Sequence, residues 1–287
     1  MNAATRPSGP RAWRAFRVVE LTVGAGLFVL ILLAALLGGW LETHEPGASD
    51  LMARFLPVGT QGHLLGTDNI GRDTWSRLIA GLQWSMACAL TANVINLVVG
   101  TLLGLLAAES SGWARVIVRQ ITDIFQSMPT LVVAIVVVVV IGHGFLPLVF
   151  TLGLVAWPIF MRVAYAEACS IHARDYVKAA RIAGVGRLAI TFGHVLPGLR
   201  ASLLVIFALH FATLLVAESA LSFLGIGAPL GVPTWGNMLA ESRQYVLLAP
   251  QLLIMPAGAI VFAVVTTNLL GDGLAAYSRL RGKGIDL

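Results

Sequence analysis

Charge is scarce in this 287-residue chain, where Asp, Glu, Lys and Arg together make up only 11% of residues. A soluble domain carries about 25%, so too few charges remain to cover a water-facing surface. With 57% hydrophobic residues and a mean hydropathy of +0.85, most of the chain is expected to sit in lipid. Cysteine is nearly missing. Cys88 and Cys169 lie far apart, beside or within apolar runs, which excludes CxxC or zinc-type spacing and argues against a structural disulfide. Both are expected to act as small hydrophobes against neighbouring helices. A G-x4-G-K-[S/T] phosphate loop is absent too. The Gly282–Lys283 pair runs into Gly284 in a basic tail, so the chain is expected to hydrolyse no ATP and to do no catalysis. Low-complexity tracts, internal repeats and a soluble domain are also missing.

What is present is a series of long uncharged stretches. A hydrocarbon core about 30 Å thick takes roughly 20 helical residues to cross. The stretches are Leu21–Leu41, Leu82–Ala108, Ile124–Met161, Ala201–Ala217 (running on past Glu218 to about Gly225) and Gln244–Gly271. The third is too long for one crossing and breaks at Gly142-His143-Gly144 and again at Pro147, so it is expected to be two spans joined by a tight turn. Arg6, Arg11, Arg14 and Arg17 precede the first stretch as in a signal peptide. That stretch is too long for a secretory apolar region and lacks a small-x-small cleavage site, so a retained span is expected.

The fold class is therefore all-α, a polytopic membrane protein with six transmembrane helices. The expected division is a tail over 1–20, a first helix over 21–41, an outer loop over 42–81, a five-helix core over 82–275 and a tail over 276–287. With both termini cytoplasmic, 15 of the 19 basic residues fall inside, leaving Arg54, Arg72, Arg77 and Arg243 outside. This is the positive-inside pattern. The basic pI near 9.8 then reports orientation and gives no support to nucleic-acid binding.

Between the fourth and fifth spans lies an inner segment over 169–199. Asp175 is placed to cap a short helix whose small face is Tyr176, Ala179, Ala180 and Ala183, with Gly184 and Gly186 ending it. A second short helix follows, and Pro197 stands where the fifth span begins, a position at which a missing N–H costs least. A short helix with a small face and basic flanks, Lys178 and Arg181 among them, suits insertion into a partner's cleft.

Ala179, Ala180, Gly184, Leu196 and Pro197 resemble, residue by residue, the cytoplasmic coupling motif of binding-protein-dependent ABC importer permeases. Lys178 stands where that motif has an acidic residue, and His194 where it has an apolar one. Three further blocks resemble the C-type subunit of the dipeptide/oligopeptide/nickel permease family: His63-Leu64-Leu65-Gly66-Thr67-Asp68-Asn69-Ile70-Gly71-Arg72-Asp73, then Ala217 to Gly227 followed by Pro233-Thr234-Trp235-Gly236, and Asn268 to Leu274. The resemblance spans roughly Leu64 to Arg279. It implies a type I ABC importer permease fold in the bacterial inner membrane. It further implies a homologous second permease subunit, two cytoplasmic ATPase subunits that bind ATP and magnesium, and an extracytoplasmic substrate-binding protein. The ATPase-coupling residues it points to are Asp175, Lys178, Ala179, Ala180, Arg181, Gly184, Leu196 and Pro197. The function implied is a pathway for di- or oligopeptides. The alternatives are a permease for nickel or a metal chelate such as an opine-type metallophore, or an ion-coupled secondary transporter, which would show paired intramembrane charges and repeated broken helices.

Outside these blocks the readings are local. Thr67 or Asp68 is placed to cap the second span, with turns at Gly66 and Gly71. Glu218 and His210 are the candidate pathway or gate residues; for Glu218 the expectation is a hydrogen bond to a neighbouring helix, with the adjacent Ser219 as the candidate link. Asp123, Arg162 and Asp272 are expected as interfacial charges with some pairing among them, and Gly100 and Gly104 as a close-packing pair. The six histidines show no ligand-like spacing, so no metal site is expected, and no nucleophile–base set accompanies Ser219 and Ser222.

Overall fold

The computed structural model describes residues 10–110, 112–229 and 231–282; Arg6 and Lys283 lie outside them. Among the described residues there are twelve α-helices and no extended sheet: α1 Pro10–Leu36, α2 Gly38–Leu41, α3 Thr74–Glu109, α4 Trp113–Ser127, α5 Thr130–Ile141, α6 Phe145–Val155, α7 Pro158–His172, α8 Asp175–Ile182, α9 Arg187–Ile190, α10 Leu196–Phe223, α11 Trp235–Ser242 and α12 Gln251–Gly282. Five stretches are long and apolar enough to cross a membrane: Val19–Leu36, Thr74–Glu109, Phe145–His172, Arg187–Phe223 and Gln251–Ser278. A bent pair, α4 with α5, makes a sixth when taken as one. The chain is thus an all-α, multi-pass membrane protein.

The bent pair corrects the expected third span. The uncharged run from Ile124 suggested one straight crossing, but the helix turns through 92° between Ser127 and Thr130. Pro129 is the cause: it pushes Met128 into extended backbone (φ −94°, ψ 137°), which a helix cannot continue. Upstream, α4 is amphipathic. Its polar side turns back on the bundle, with Arg162 Nη2 2.6 Å from Asp123 Oδ1 and Arg119 over the Tyr165 ring at 5.7 Å. Trp113, Val116, Ile117, Ile121 and Ile124 are exposed on the other side. Downstream, the 12 residues of α5 rise only about 18 Å, short of a full crossing. The turn expected at Gly142–Gly144 is present, with both glycines at positive φ.

Two other boundaries move. The second span begins at Thr74, eight positions before Leu82, and its first turn carries Arg77. The fifth span has no separate helix before it: α9 passes through a π-helical turn at Thr191–Val195 straight into α10. Pro197 lacks the N–H that would complete an ordinary turn there, and the wider i→i+5 bonding absorbs the interruption.

The bundle is organised around α3. A Cβ on Gly100 would lie 2.5 Å from the Trp157 carbonyl oxygen, and one on Gly104 2.7 Å from that of Met161. Only glycine lets α3 and α7 approach this closely. Asn93 and Asn96 tie α3 sideways, donating to the carbonyls of Phe207 (2.8 Å) and Leu152 (3.1 Å). One apolar cluster, with Met86, Ala89, Leu152, Phe211 and Leu215, fills the middle of the bundle. A second, with Phe160, Ile171, Val177, Ile190 and Leu199, extends under α8 and α9. Both cysteines are free.

Candidate functional site

The α8–α9 segment hangs from the bundle by few contacts. Val177 is fully buried in the second cluster and is the anchor of α8. The helix stops as its sequence requires: Gly184, at φ +83°, donates to the Arg181 carbonyl and Val185 to that of Ala180, the paired bonds of a Schellman stop. Gly186 does not end α8. With φ −64° and ψ 151° it stands in extended backbone at the start of α9. Asp175 does not cap α8 either. It occupies the first helical position, Arg174 precedes it without a side-chain cap, and Asp175 instead accepts from Lys178 Nζ at 3.1 Å. Both members are solvent-exposed, so the pair adds little stability.

Large apolar side chains stand on the exposed surface of this segment, among the exposed charges Asp175, Lys178, Arg181 and Arg187. Ile182 is 89% exposed and Leu188 75%, with Val185, Phe192 and Ala179 also exposed. Ala180, Leu196 and Pro197 are half-buried beneath. Arg181, itself exposed, reaches α7 with its Nη2 3.3 Å from His172 Nδ1, and His172 Nε2 lies 2.9 Å from Glu109 Oε1. Thr191, in the π turn, donates to the same oxygen at 2.8 Å. One chain of polar contacts thus links α8 to the ends of α3 and α7 and to the root of α10.

At the opposite end of the bundle, residues 42–73 and the stretch around α11 interlock as a lid. Asp73 caps α3, accepting from Ser76 N (2.8 Å) and Ser76 Oγ (2.7 Å); neither Thr67 nor Asp68 does so. Asp68 instead accepts from the N–H groups of Ile70 and Arg72 and pairs with the Arg72 and Arg77 guanidinium groups. Both arginines reach Glu241 of α11, at 2.6 and 2.8 Å. Burial pushes the Asp68 carboxyl up, but the Arg77 and Arg72 charges and the two N–H bonds outweigh it, and the carboxyl ends below its usual range. Burial is likewise outweighed at Asp73 by bonds from Ser76, His63 and Thr43. Trp235 Nε1 donates to the Leu78 carbonyl at 3.1 Å, and Asn69 Nδ2 to Tyr245 Oη at 3.3 Å. Gly66 and Gly71 take positive φ in tight turns, and a Cβ on Gly71 would overlap the Asp50 carbonyl.

Within the bundle the two candidate residues have different surroundings. Glu218 is fully buried, accepting from Ser222 Oγ at 2.9 Å and, less closely, from Ser219 Oγ at 3.4 Å; Ser222 Oγ also accepts from Ala228 N. His210 borders a groove of about 400 Å³ between α5, α10 and α12. Its Nε2 is buried and has no partner among the described residues, and its ring meets Phe160 edge-on at 5.6 Å. Thr130, Thr213 and Asn268 line the same groove and are exposed. Asp272, expected to pair near Asp123 and Arg162, is exposed and takes no part in their bridge.

Three lid residues escaped the histidine spacing. His44, His63 and Asp73, from different parts of the chain, bring one ligand atom each within 4.8 Å of the others. Spacing alone does not reveal this group: the histidines stand 19 positions apart in sequence, and only the folded lid brings them together.

Comparison with known proteins adds the following. The model of a family described as binding-protein-dependent transport system inner membrane component matches residues 100–281. The chain is 35% identical over 263 residues to the glutathione transport system permease protein of Pectobacterium atrosepticum, covering 91% of this chain and 87% of that one. It is 36% identical over 268 residues to the di/tripeptide transport system permease protein of Pseudomonas aeruginosa, covering 91% and 88%. A putative peptide transport system permease protein of Brucella suis is 35% identical over 266 residues, covering 92% and 88%.

Proposed function

Because this chain belongs to the family of binding-protein-dependent transport system inner membrane components, we propose that it is the permease subunit of an ATP-driven importer of small peptides. The observation that carries the coupling role is the apolar outward side of α8–α9. Ile182 is exposed on α8, outside the membrane spans, where lipid does not cover it, and Leu188 is exposed in the first turn of the Arg187–Phe223 stretch that follows. A protein partner is the remaining cover, and in an importer whose permease has no phosphate loop that partner is the ATPase. Charge sets the orientation: the side holding most of the basic residues is cytoplasmic, which puts α8 inside and the lid outside.

On this reading ATP-driven closure of two ATPase subunits moves α8. The contacts from Arg181 through His172 and Glu109 to Thr191 then carry the movement to α3, α7 and α10 together. Those helices tilt as rigid bodies between two access states. A homologous second permease completes the pathway, and the lid receives an extracytoplasmic binding protein. His210, Thr130, Thr213 and Asn268 border the pathway, because polar groups exposed at that depth are costly against lipid. Glu218, bonded by Ser222 and Ser219 of its own helix with Ser85 of α3 beside it, holds the outer end of α10.

Peptide substrates are favoured because relatives carry peptide or glutathione in their names. A nickel or metal-chelate substrate and an ion-coupled mechanism are correspondingly disfavoured. The test is uptake by proteoliposomes holding the chain with its second permease, ATPases and binding protein, offered dipeptides, glutathione and nickel chelates in turn. ATP-dependent uptake of a peptide supports the proposal. Uptake of a nickel chelate alone overturns the substrate, and uptake without any ATPase overturns the mechanism.

A further inference from the structure

The lid holds an arrangement that neither helix capping nor peptide import requires. His63 Nδ1 lies 2.9 Å from Asp73 Oδ1, which is enough to steady Asp73 as the cap of α3. The His44 side chain makes no hydrogen bond to that cap. Its ring nevertheless stacks on His63, with centroids 4.7 Å apart and planes 24° from parallel. Its Nδ1 is 4.0 Å from Asp73 Oδ2 and 3.1 Å from Thr43 Oγ1. Two imidazoles therefore aim at one carboxylate, and among the described residues no other acid or histidine belongs to the group.

We propose that His44, His63 and Asp73 form a binding site for a divalent transition-metal ion of the zinc–nickel–copper class. Two imidazole nitrogens and one carboxylate oxygen suit these borderline ions, whereas calcium and magnesium select oxygen ligands. In a tetrahedral site with bonds of about 2.0–2.1 Å, ligand atoms stand roughly 3.3 Å apart. The present separations, all under 4.8 Å, bracket that value. The largest adjustment falls on His44, whose side chain is 42% exposed and free to move inward.

The supporting groups are already in place. Asp73 Oδ2 keeps the cap through Ser76 N and Ser76 Oγ and also accepts from Thr43 Oγ1 at 3.2 Å, leaving Oδ1 for the ion. Ser76 Oγ in turn accepts from the backbone N–H of Thr43 (3.1 Å) and His44 (3.0 Å), which fixes the segment that presents His44. Such outer contacts orient ligands and raise affinity. Three protein ligands leave one position for water. A bound ion would fasten the chain after α2 to the first turn of α3 and stiffen the lid. Metal binding here is independent of what the permease carries.

The test is zinc titration of the full-length chain in lipid nanodiscs, its affinity tag removed, with a chromophoric chelator as competitor and thermal unfolding as a second readout. The wild type is expected to bind one Zn2+ per chain with micromolar or tighter affinity and to unfold at a higher temperature when zinc is present. His44→Ala, which leaves the cap intact, is expected to weaken binding by ~100-fold or more, beyond the 10–100-fold typical of lost supporting contacts, and to abolish the zinc-dependent rise. His143→Ala, at another exposed turn, is expected to bind as wild type does. Equal binding by wild type and His44→Ala, or no binding by the wild type at saturating zinc, would overturn the site.

Discussion

At the lid end, Asp68, Arg72, Arg77 and Glu241 close on one another, and the backbone around them is tied by Asp73, Trp235 and Asn69. At the other end, α8 is held by Val177 and one polar chain, and it turns Ile182 and Leu188 outward. The lid is built from charge and satisfies itself. The α8–α9 segment is built from small and apolar residues and leaves its satisfaction to a partner. In the proposed importer, the difference would separate a part that keeps its shape from a part that transmits force. Buried charge is costly to break, whereas an apolar surface on one anchor can be gripped and moved.

The sharpest way to break this contrast is Arg77→Ala. It strips one partner each from Asp68 and Glu241 and is expected to destabilise the lid by about 3 kcal/mol, at the low end for buried pairs because Glu241 is a third exposed. Thermal unfolding in detergent checks it, and no change would mean that the lid does not rest on this cluster. Val177→Ala should cost about 2 kcal/mol, two methyl groups plus a small cavity, with the loss confined to α8 in hydrogen exchange. Gly184→Ala meets no atom within 4 Å, so its expected cost of about 1–2 kcal/mol comes from the left-handed backbone alone and frays the end of α8.

Acid sharpens the comparison from the other side. The carboxyls of Asp68 and Asp73 are held below their usual range. Their contribution is present above the unfolded Asp value of about 3.9 and is lost as pH falls through the lower folded values. Proteolysis of the 42–73 loop should therefore stay level from neutral pH down to about 5 and rise below about 4. The α8–α9 segment, whose carboxylate Asp175 is exposed and weakly paired, should show no matching change.

Much of this was legible in the chain, for physical reasons. Long uncharged runs can only be spans, and a glycine closing a short helix announces left-handed backbone, so the bundle and the stop at Gly184 followed. The bend at Pro129 was hidden because Ile124 and Phe125 are apolar whether a helix crosses the membrane or lies with one side exposed. The π turn left no residue signature beyond Pro197. Asp68 and Asp73 are chemically equal as caps, and what separates them is the fold: Arg72, Arg77 and two backbone N–H groups take up Asp68, while Asp73 directly precedes α3. His44 and His63 could not be joined from spacing, because a loop without regular structure brings them together.

The central claim is that the apolar side of α8–α9 is gripped by the ATPase. The direct measurement is the amount of ATPase retained when the assembled importer is purified through this chain, for wild type, Ile182→Asp and Leu188→Asp, with uptake followed in parallel. Both positions are exposed, so the chain itself should stay within about 0.5 kcal/mol of wild-type stability. The account predicts that each variant inserts normally but loses retained ATPase by ~10-fold or more, because a carboxylate would be buried unpaired at the contact, and that uptake falls with it. Full ATPase retention and full uptake in both variants would contradict it.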